Sequence, residues 1–68
     1  MAHALAKTII ISKVSELIAD KYKISINEAR DILYSSRTME LINDDEMGLY
    51  GMSPIYVFSL FEEEKKQD

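Results

Sequence analysis

Apolar residues in the first third of the chain recur every three or four positions, which is the spacing of one helical face. Ile10, Val14 and Ile18 follow this spacing, and charged side chains recur on a different face. The pattern predicts a first helix over about Ala4–Tyr22. A short strand through Thr8–Ser12 is the competing interpretation, because β-branched residues favour strands. Since the sequence shows no partner strand, the helix is the better prediction.

Three consecutive isoleucines, Ile9, Ile10 and Ile11, are wider than that face. At about 100° per residue they spread over some 200° of the helix surface, so part of the triplet must contact something besides one neighbouring helix. Two interpretations stay open: burial on two sides inside a small bundle, or a self-association surface formed by Ile9, Ile10 and Ile11. A core this small supplies only a few kcal/mol, and we therefore expect a homodimer.

Two serines mark the starts of later helices. Ser25 is followed three residues later by Glu28, which is the spacing of a capping box and predicts a second helix over about Ile26–Tyr34. Ser53 precedes proline, and proline at the first helical position loses no needed amide. A last helix is therefore predicted over about Pro54–Lys65.

The segment between these helices has a weaker pattern. Thr38–Ile42 is predicted to be a short helix, and Asn43–Met52 an ordered loop that turns Leu49 and Tyr50 towards the core. Together the elements predict an all-α fold, a compact bundle of three to four short helices. Residues 1–66 are predicted to form a single helical domain, and residues 67–68 a disordered tail. The predicted core consists of inward-facing positions of these elements: Ile10, Val14, Leu17, Ile18, Ile26, Ala29, Ile32, Leu33, Leu41, Ile42, Leu49, Ile55, Phe58 and Phe61.

Composition limits the classes of protein to which the chain can belong. Its 68 residues suffice for one small domain, and the hydrophobic fraction of 47% is typical of a globular chain. The absence of cysteine excludes disulfides, thiolate catalysis and cysteine-based zinc sites. No apolar run approaches the roughly 20 residues of a membrane span, and the start of the chain lacks the apolar core of a signal peptide. We therefore expect a cytoplasmic protein without membrane contact.

The net charge of the chain is −4, and its acidic residues are concentrated in residues 38–68. This segment contains eight acidic residues and only two basic ones, Lys65 and Lys66. A nucleic-acid binder needs several cations that converge on phosphates, and the cations of the first half are mixed with acids. Nucleic acid is therefore an unlikely partner. The alternative hypothesis is a dimeric DNA-binding regulator that brings its first-half cations to one side. Those cations are Lys7, Lys13, Lys21, Lys23 and Arg30.

The residues give little support for catalysis or for metal binding. The single histidine, His3, stands in a terminal segment where a Ser/His/Asp arrangement would lack a rigid element. The acidic stretch Asn43–Gly48 begins like a calcium loop, but Met47 and Pro54 occupy positions that should carry side-chain ligands. We therefore predict no enzyme, no catalytic residue, no cofactor and no metal site.

The surface tyrosines are the best candidates for partner binding. Tyr34, Tyr50 and Tyr56 offer apolar area with little side-chain entropy to lose, although residues of this kind also occupy ordinary core edges. Arg37 follows a Ser-Ser break and precedes a cluster of acids. It is predicted either to fix the loop through an ion pair with a nearby aspartate, Asp44 or Asp45, or to contact the partner.

Residues from Tyr34 to Glu63 carry a distinctive order of features. A tyrosine-serine break is followed by a Thr-x-Glu-Leu turn, an acidic loop that ends in Leu-Tyr, and a Ser-Pro helix that finishes in glutamates. This order resembles the C-terminal half of short bacterial helical proteins of unknown function, some of which are encoded among toxin-antitoxin-like genes. Met47 and Met52 stand where the resemblance leads us to expect polar residues.

The resemblance implies a bacterial protein that acts through a protein partner, in an antitoxin-like or accessory role. The residues and the resemblance together favour a non-enzymatic protein-protein interaction module. The DNA-binding regulator remains the alternative hypothesis, and the arrangement of its five cations distinguishes the two.

Overall fold

The computed structural model describes residues 3–67, and these form four α-helices and one turn of 3-10 helix. The elements are α1 (Ala4–Tyr22), α2 (Ile26–Tyr34), α3 (Arg37–Asn43), the 3-10 turn (Leu49–Gly51) and α4 (Pro54–Lys66). No strand is present in this part of the chain. The radius of gyration of 11.1 Å agrees with the value of about 11 Å for a compact chain of this length. The prediction of an all-α bundle of short helices is confirmed.

Serine side chains set the starts of the three shorter helices. Ser25 Oγ accepts a hydrogen bond from the Glu28 amide at 3.1 Å, and the Glu28 carboxylate accepts from the Ser25 amide at 3.3 Å. This is the reciprocal capping box that the sequence predicts. Ser36 and Ser53 cap α3 and α4 by accepting from the amide three residues later, at 3.3 and 3.2 Å. Because Ser36 is a cap, α3 begins at Arg37, one residue before its predicted start.

Helix α1 is the central element of the bundle. It packs against α2, α4 and the 3-10 turn, while α3 packs against α4, the turn and α2. The early part of α1 lies beside the 3-10 turn, and its last turn lies beside the second half of α4. Helices α1 and α4 therefore run in the same direction.

The core is formed where the inner faces of these elements meet around α1. Ten hydrophobic residues form it, and eight of them are predicted core residues. Two others, Met39 and Val57, join them because the capped starts of α3 and α4 turn these positions inward. The buried set is Ile10, Val14, Ile18, Ala29, Leu33, Met39, Ile42, Leu49, Val57 and Phe61.

Three isoleucines that the sequence assigns to the core lie on the surface instead. Ile26, Ile32 and Ile55 are 39%, 37% and 70% exposed. Ile26 and Ile32 stand on the two edges of the α2 face that buries Ala29, about 60° from its centre. Ile55 stands about 160° around α4 from the buried Val57, almost on the opposite side. Three further predicted core residues are only half-buried: Leu17, Leu41 and Phe58.

The chain beyond α4 was predicted to be a disordered tail. Gln67 caps α4, because its amide donates to the carbonyls of Glu64 and Lys65, and disorder of the tail stays a prediction. Asp68, the other residue of the predicted tail, lies outside the described residues.

Candidate functional site

The three predicted partner-binding tyrosines have different surroundings in the fold. Tyr34 is exposed at the end of α2, beside a groove between α2 and α1. Tyr56 is exposed in the first turn of α4. Tyr50 is half-buried, because the His3 ring stacks on it with the ring centroids 4.4 Å apart and Lys7 Nζ lies 5.7 Å from its centroid. The structure therefore does not bring these tyrosines into one site.

The predicted ion pair between Arg37 and the acidic loop is wrong. Asp45 instead accepts from Lys7 Nζ at 2.8 Å, and this hydrogen bond holds the pKa of the Asp45 carboxyl below its ordinary value. Asp44 accepts from the backbone amide two residues later, at 2.9 Å. The Arg37 backbone amide donates to Glu64, and its exposed side chain stays available to a partner.

Glu64 joins the end of α4 to the start of α3. Its carboxylate accepts from the Arg37 amide at 2.9 Å, from the Thr38 amide at 3.1 Å and from the Thr38 hydroxyl at 2.9 Å. Partial burial acts to raise the pKa of the Glu64 carboxyl, but these hydrogen bonds outweigh it and hold the pKa below its ordinary value. The two amides belong to the first turn of α3, where no intrahelical acceptor exists.

Glu62 joins α4 to the end of α1. Its two carboxylate oxygens accept from Lys21 Nζ at 2.7 and 2.6 Å, and one of them accepts from the Tyr22 hydroxyl at 2.9 Å. The hydrogen bond from Lys21 lowers the pKa of the Glu62 carboxyl and raises that of the Lys21 amine. The same carboxylate raises the pKa of the Tyr22 hydroxyl and fixes the position of its ring.

The isoleucine triplet is divided between the core and the surface. Ile10 is 3% exposed and belongs to the chain's own core, whereas Ile9 is 52% exposed. Ile11 is half-buried and packs against the core. A self-association surface can therefore include Ile9, but Ile10 cannot contribute to it without unfolding. Of the two open interpretations, Ile10 and Ile11 follow burial inside the bundle, and self-association through Ile9 stays a prediction.

One apolar surface, here called the α1/α4 surface, covers the outer side of α1 and the start of α4. Its two most exposed residues, Leu5 and Ile55, are 74% and 70% exposed. Further along α1 than Leu5 and Ile9, this surface contains a groove of about 460 Å³ between α1 and the first turn of α4. The apolar residues of this surface are Leu5, Ile9, Leu17, Pro54 and Ile55, and the polar residues along the groove are Lys13, Glu16, Asp20 and Ser53.

A second apolar feature, here called the Ile32 pocket, lies on the opposite side of α1. This pocket of about 250 Å³ is formed by the second halves of α1, α2 and α4. Its floor is formed by the fully buried Ile18 and Phe61, and its rim by the partly exposed Tyr22 and Ile32. Lys65 completes the rim, with its Nζ 5.6 Å from the centroid of the Phe61 ring. The pocket could not be predicted from the sequence, because the helical spacing of α2 assigns Ile32 to the core.

The five cations of the DNA-binding hypothesis do not share one side of the bundle. Lys7 and Lys21 each form an ion pair with a carboxylate, at 2.8 and 2.6 Å. Lys13 lines the groove of the α1/α4 surface, whereas Arg30 lines a different groove between α1 and α2. Lys23 ends α1 in a left-handed conformation. Within one copy of the chain these side chains therefore lie on separate surfaces, and a shared basic face formed by a dimer stays a prediction.

No protein-family model, curated protein or solved structure matches this chain. The resemblance to short bacterial helical proteins therefore stays a prediction. No helix within residues 3–67 is both long enough and apolar enough to cross a membrane. Over the same residues, no group of three or more His, Asp or Glu side chains is placed to hold a metal ion.

Proposed function

We propose that the chain is a non-enzymatic interaction module that binds another polypeptide by taking one of its apolar side chains into the Ile32 pocket. The observation that carries this proposal is an apolar pocket that stays open between three helices of a very small domain. The resemblance over Tyr34 to Glu63 adds a setting, an antitoxin-like or accessory protein of a bacterial cell. In such a role the chain acts by occupying a surface of its partner.

The size of the pocket favours a side chain over a free small molecule. Small-molecule sites usually enclose roughly 300–1,000 Å³, and this pocket encloses about 250 Å³. Interface hot spots are typically apolar or aromatic side chains that fill such pockets in a partner. The buried Ile18 and Phe61 provide an apolar floor, and Tyr22 adds an aromatic wall.

The walls of the pocket are held in place before any partner arrives. Glu62 binds both Lys21 and Tyr22, which fixes the last turn of α1 against α4 at 2.6–2.9 Å. A preorganised pocket avoids the cost of ordering side chains on binding. Lys65 at the rim supplies a positive charge beside the apolar floor. The partner segment is therefore expected to carry an apolar anchor next to a carboxylate.

The residues predicted from sequence to bind the partner lie elsewhere on the surface. Tyr34, Arg37, Tyr50 and Tyr56 do not line the Ile32 pocket. Contact between these four side chains and a partner stays a prediction, to be tested by substituting the exposed Tyr34 and Tyr56 with alanine.

Position 32 has a matched control on the same helix. Ile26 and Ile32 are 39% and 37% exposed, on opposite edges of α2, and only Ile32 lines the pocket. A photoreactive amino acid at each position, in cells that express the chain, should crosslink a defined polypeptide from position 32 and not from position 26. The crosslinked polypeptide is then purified and its affinity is measured by calorimetry against Ile32→Glu and Ile26→Glu.

The expected result is a loss of affinity of about tenfold or more for Ile32→Glu, which is the effect of removing an interface anchor. Ile26→Glu should bind as the unmodified chain does. Equal crosslinking from the two positions would overturn the proposal. Equal affinity of the two variants, both folded by circular dichroism, would also overturn it.

A further inference from the structure

We propose that the α1/α4 surface binds a second copy of this chain, so that two α1 helices pack antiparallel across a two-fold axis. In this dimer Ile9 of each copy enters the groove between α1 and α4 of the other copy. The surface lies on the side of α1 away from the Ile32 pocket, and the inference does not depend on the proposed function.

One face of α1 carries both a projecting side chain and part of a groove that can receive it. Ile9, Lys13, Glu16 and Asp20 are spaced as one helical face. Ile9 projects from the start of this face, and Lys13, Glu16 and Asp20 line the groove further along it. In an antiparallel pair, the start of one helix faces the end of the other. Each projection then meets the partner's groove, as an isologous interface requires.

The charges along the same face are ordered so that two antiparallel copies attract each other. A two-fold axis near residues 14 and 15 places Lys13 of each copy opposite Glu16 of the other, which gives two ion pairs. The same axis places Ile9 within one helical turn of the other copy's Leu17, at the apolar wall of the groove. The face is therefore complementary to itself in charge as well as in shape.

The single chain leaves much of the apolar area of this surface exposed to water. Leu5 and Ile55 are the most exposed large hydrophobic residues described, and both belong to this surface. A stable dimer of standard size buries about 800 Å² per partner, which is about a sixth of the 4619 Å² of this chain. The 19 residues of α1 span about 28 Å, which is long enough for a contact of this size.

The test begins with multi-angle light scattering after size-exclusion chromatography, over a series of protein concentrations in the micromolar range. The unmodified chain should approach twice its mass of 7.8 kDa. Ile55→Glu should stay monomeric and folded, because position 55 is mostly exposed and stands in the first turn of α4, where a negative charge is favourable. Ile32→Glu serves as the matched control and should still dimerise.

A charge exchange tests the arrangement of the two helices. Lys13→Glu and Glu16→Lys each place like charges opposite one another and should weaken self-association. A mixture of these two single variants restores both ion pairs and should form a heterodimer. A monomeric unmodified chain at every concentration would overturn the inference. A dimer that survives Ile55→Glu, or a mixture that associates no better than its components, would do so as well.

The two proposals can fail separately. Ile55→Glu removes the dimer contact and leaves the Ile32 pocket intact, so it should still bind the polypeptide crosslinked from position 32. Loss of dimerisation with retained partner binding would therefore contradict only the dimer and not the proposed function. Loss of partner binding in Ile32→Glu with retained dimerisation does not contradict the proposed dimer.

Discussion

Replacing Glu64 by alanine removes the contact that joins the end of α4 to the start of α3. Three hydrogen bonds disappear, from the Arg37 amide, the Thr38 amide and the Thr38 hydroxyl. Thr38 is only 1% exposed, so water cannot freely replace the carboxylate at its hydroxyl. The matched control is Glu63→Ala, because Glu63 stands one residue away and has only a long, exposed contact to Lys66 at 3.8 Å.

The expected loss of unfolding free energy for Glu64→Ala is about 2 kcal/mol. A hydrogen bond to a charged group contributes roughly 1.5–3 kcal/mol, and loss of a helix N-terminal cap costs about 1 kcal/mol. Because the carboxylate is partly exposed, water replaces some of the hydrogen bonds that it makes. The expected loss of unfolding free energy therefore stays near that of one strong hydrogen bond. In a domain of this size each kcal/mol lowers the melting temperature by about 4–8 °C, so a decrease of about 8–16 °C is expected.

The pH dependence adds a second readout to this comparison. The folded-state pKa of Glu64 lies below its ordinary value of 4.5, so its stabilising effect is complete above that pH and is lost as the pH falls through the folded pKa. The difference in melting temperature between the unmodified chain and Glu64→Ala should therefore narrow below pH 4.5. Glu62 and Asp45 also have lowered pKa values, but both are present in the two proteins compared.

Thermal unfolding followed by circular dichroism measures these effects for the unmodified chain, Glu64→Ala and Glu63→Ala. Glu63→Ala should change the unfolding free energy by less than about 0.5 kcal/mol. Equal melting temperatures for the two variants would show that the contact between Glu64 and α3 does not stabilise the fold. A difference that persists unchanged at acidic pH would show that the charge of Glu64 plays no part.

Two further substitutions are expected to stabilise the chain. Ser15 is fully buried in α1 and its hydroxyl has no hydrogen-bond partner among residues 3–67, so Ser15→Ala should raise the unfolding free energy by about 1 kcal/mol. Ser12→Ala on the same helix is the control for helix propensity, and an equal gain there would contradict the reasoning. Lys23 has a φ of 59°, a left-handed conformation that glycine adopts without strain. Lys23→Gly should therefore raise the unfolding free energy measured by urea denaturation by about 0.5–1 kcal/mol, and a lower unfolding free energy would refute this account.

The helix boundaries could be predicted because they depend on neighbouring residues. Ser25 and Ser53 each cap the helix that follows within three residues, and such contacts form whatever the rest of the chain does. The seven-residue α3 was placed to within one residue from the apolar pattern of Met39, Leu41 and Ile42. The one cap that was missed, Ser36, stands beside Ser35, and the sequence alone does not distinguish which of two adjacent serines is the cap.

The edges of the core could not be predicted in the same way. Helical spacing identifies the centre of a buried face, and Ala29 and Leu33 are fully buried at the centre of the inner face of α2. Whether Ile26 and Ile32, on the edges of that face, are covered depends on how widely the neighbouring helices are separated. The second halves of α1 and α4 leave space beside Ile32, and this space is the Ile32 pocket. The prediction that Ile32 belongs to the core was therefore wrong, because the burial of this residue depends on tertiary packing rather than on the spacing within α2.

The run of Glu62, Glu63 and Glu64 shows why charge patterns are hard to interpret from sequence. Three acids near a helix C-terminus oppose the helix dipole, and the sequence therefore indicates a solvated and frayed end. Successive residues are about 100° apart around a helix, so the three carboxylates point in three directions. Glu62 reaches the end of α1 and Glu64 the start of α3, while Glu63 stays exposed. The unfavourable interaction with the dipole is thus offset by contacts with residues 26 to 41 positions earlier in the chain, and the contacts of Glu62 with Lys21 and Tyr22 hold the wall of the Ile32 pocket.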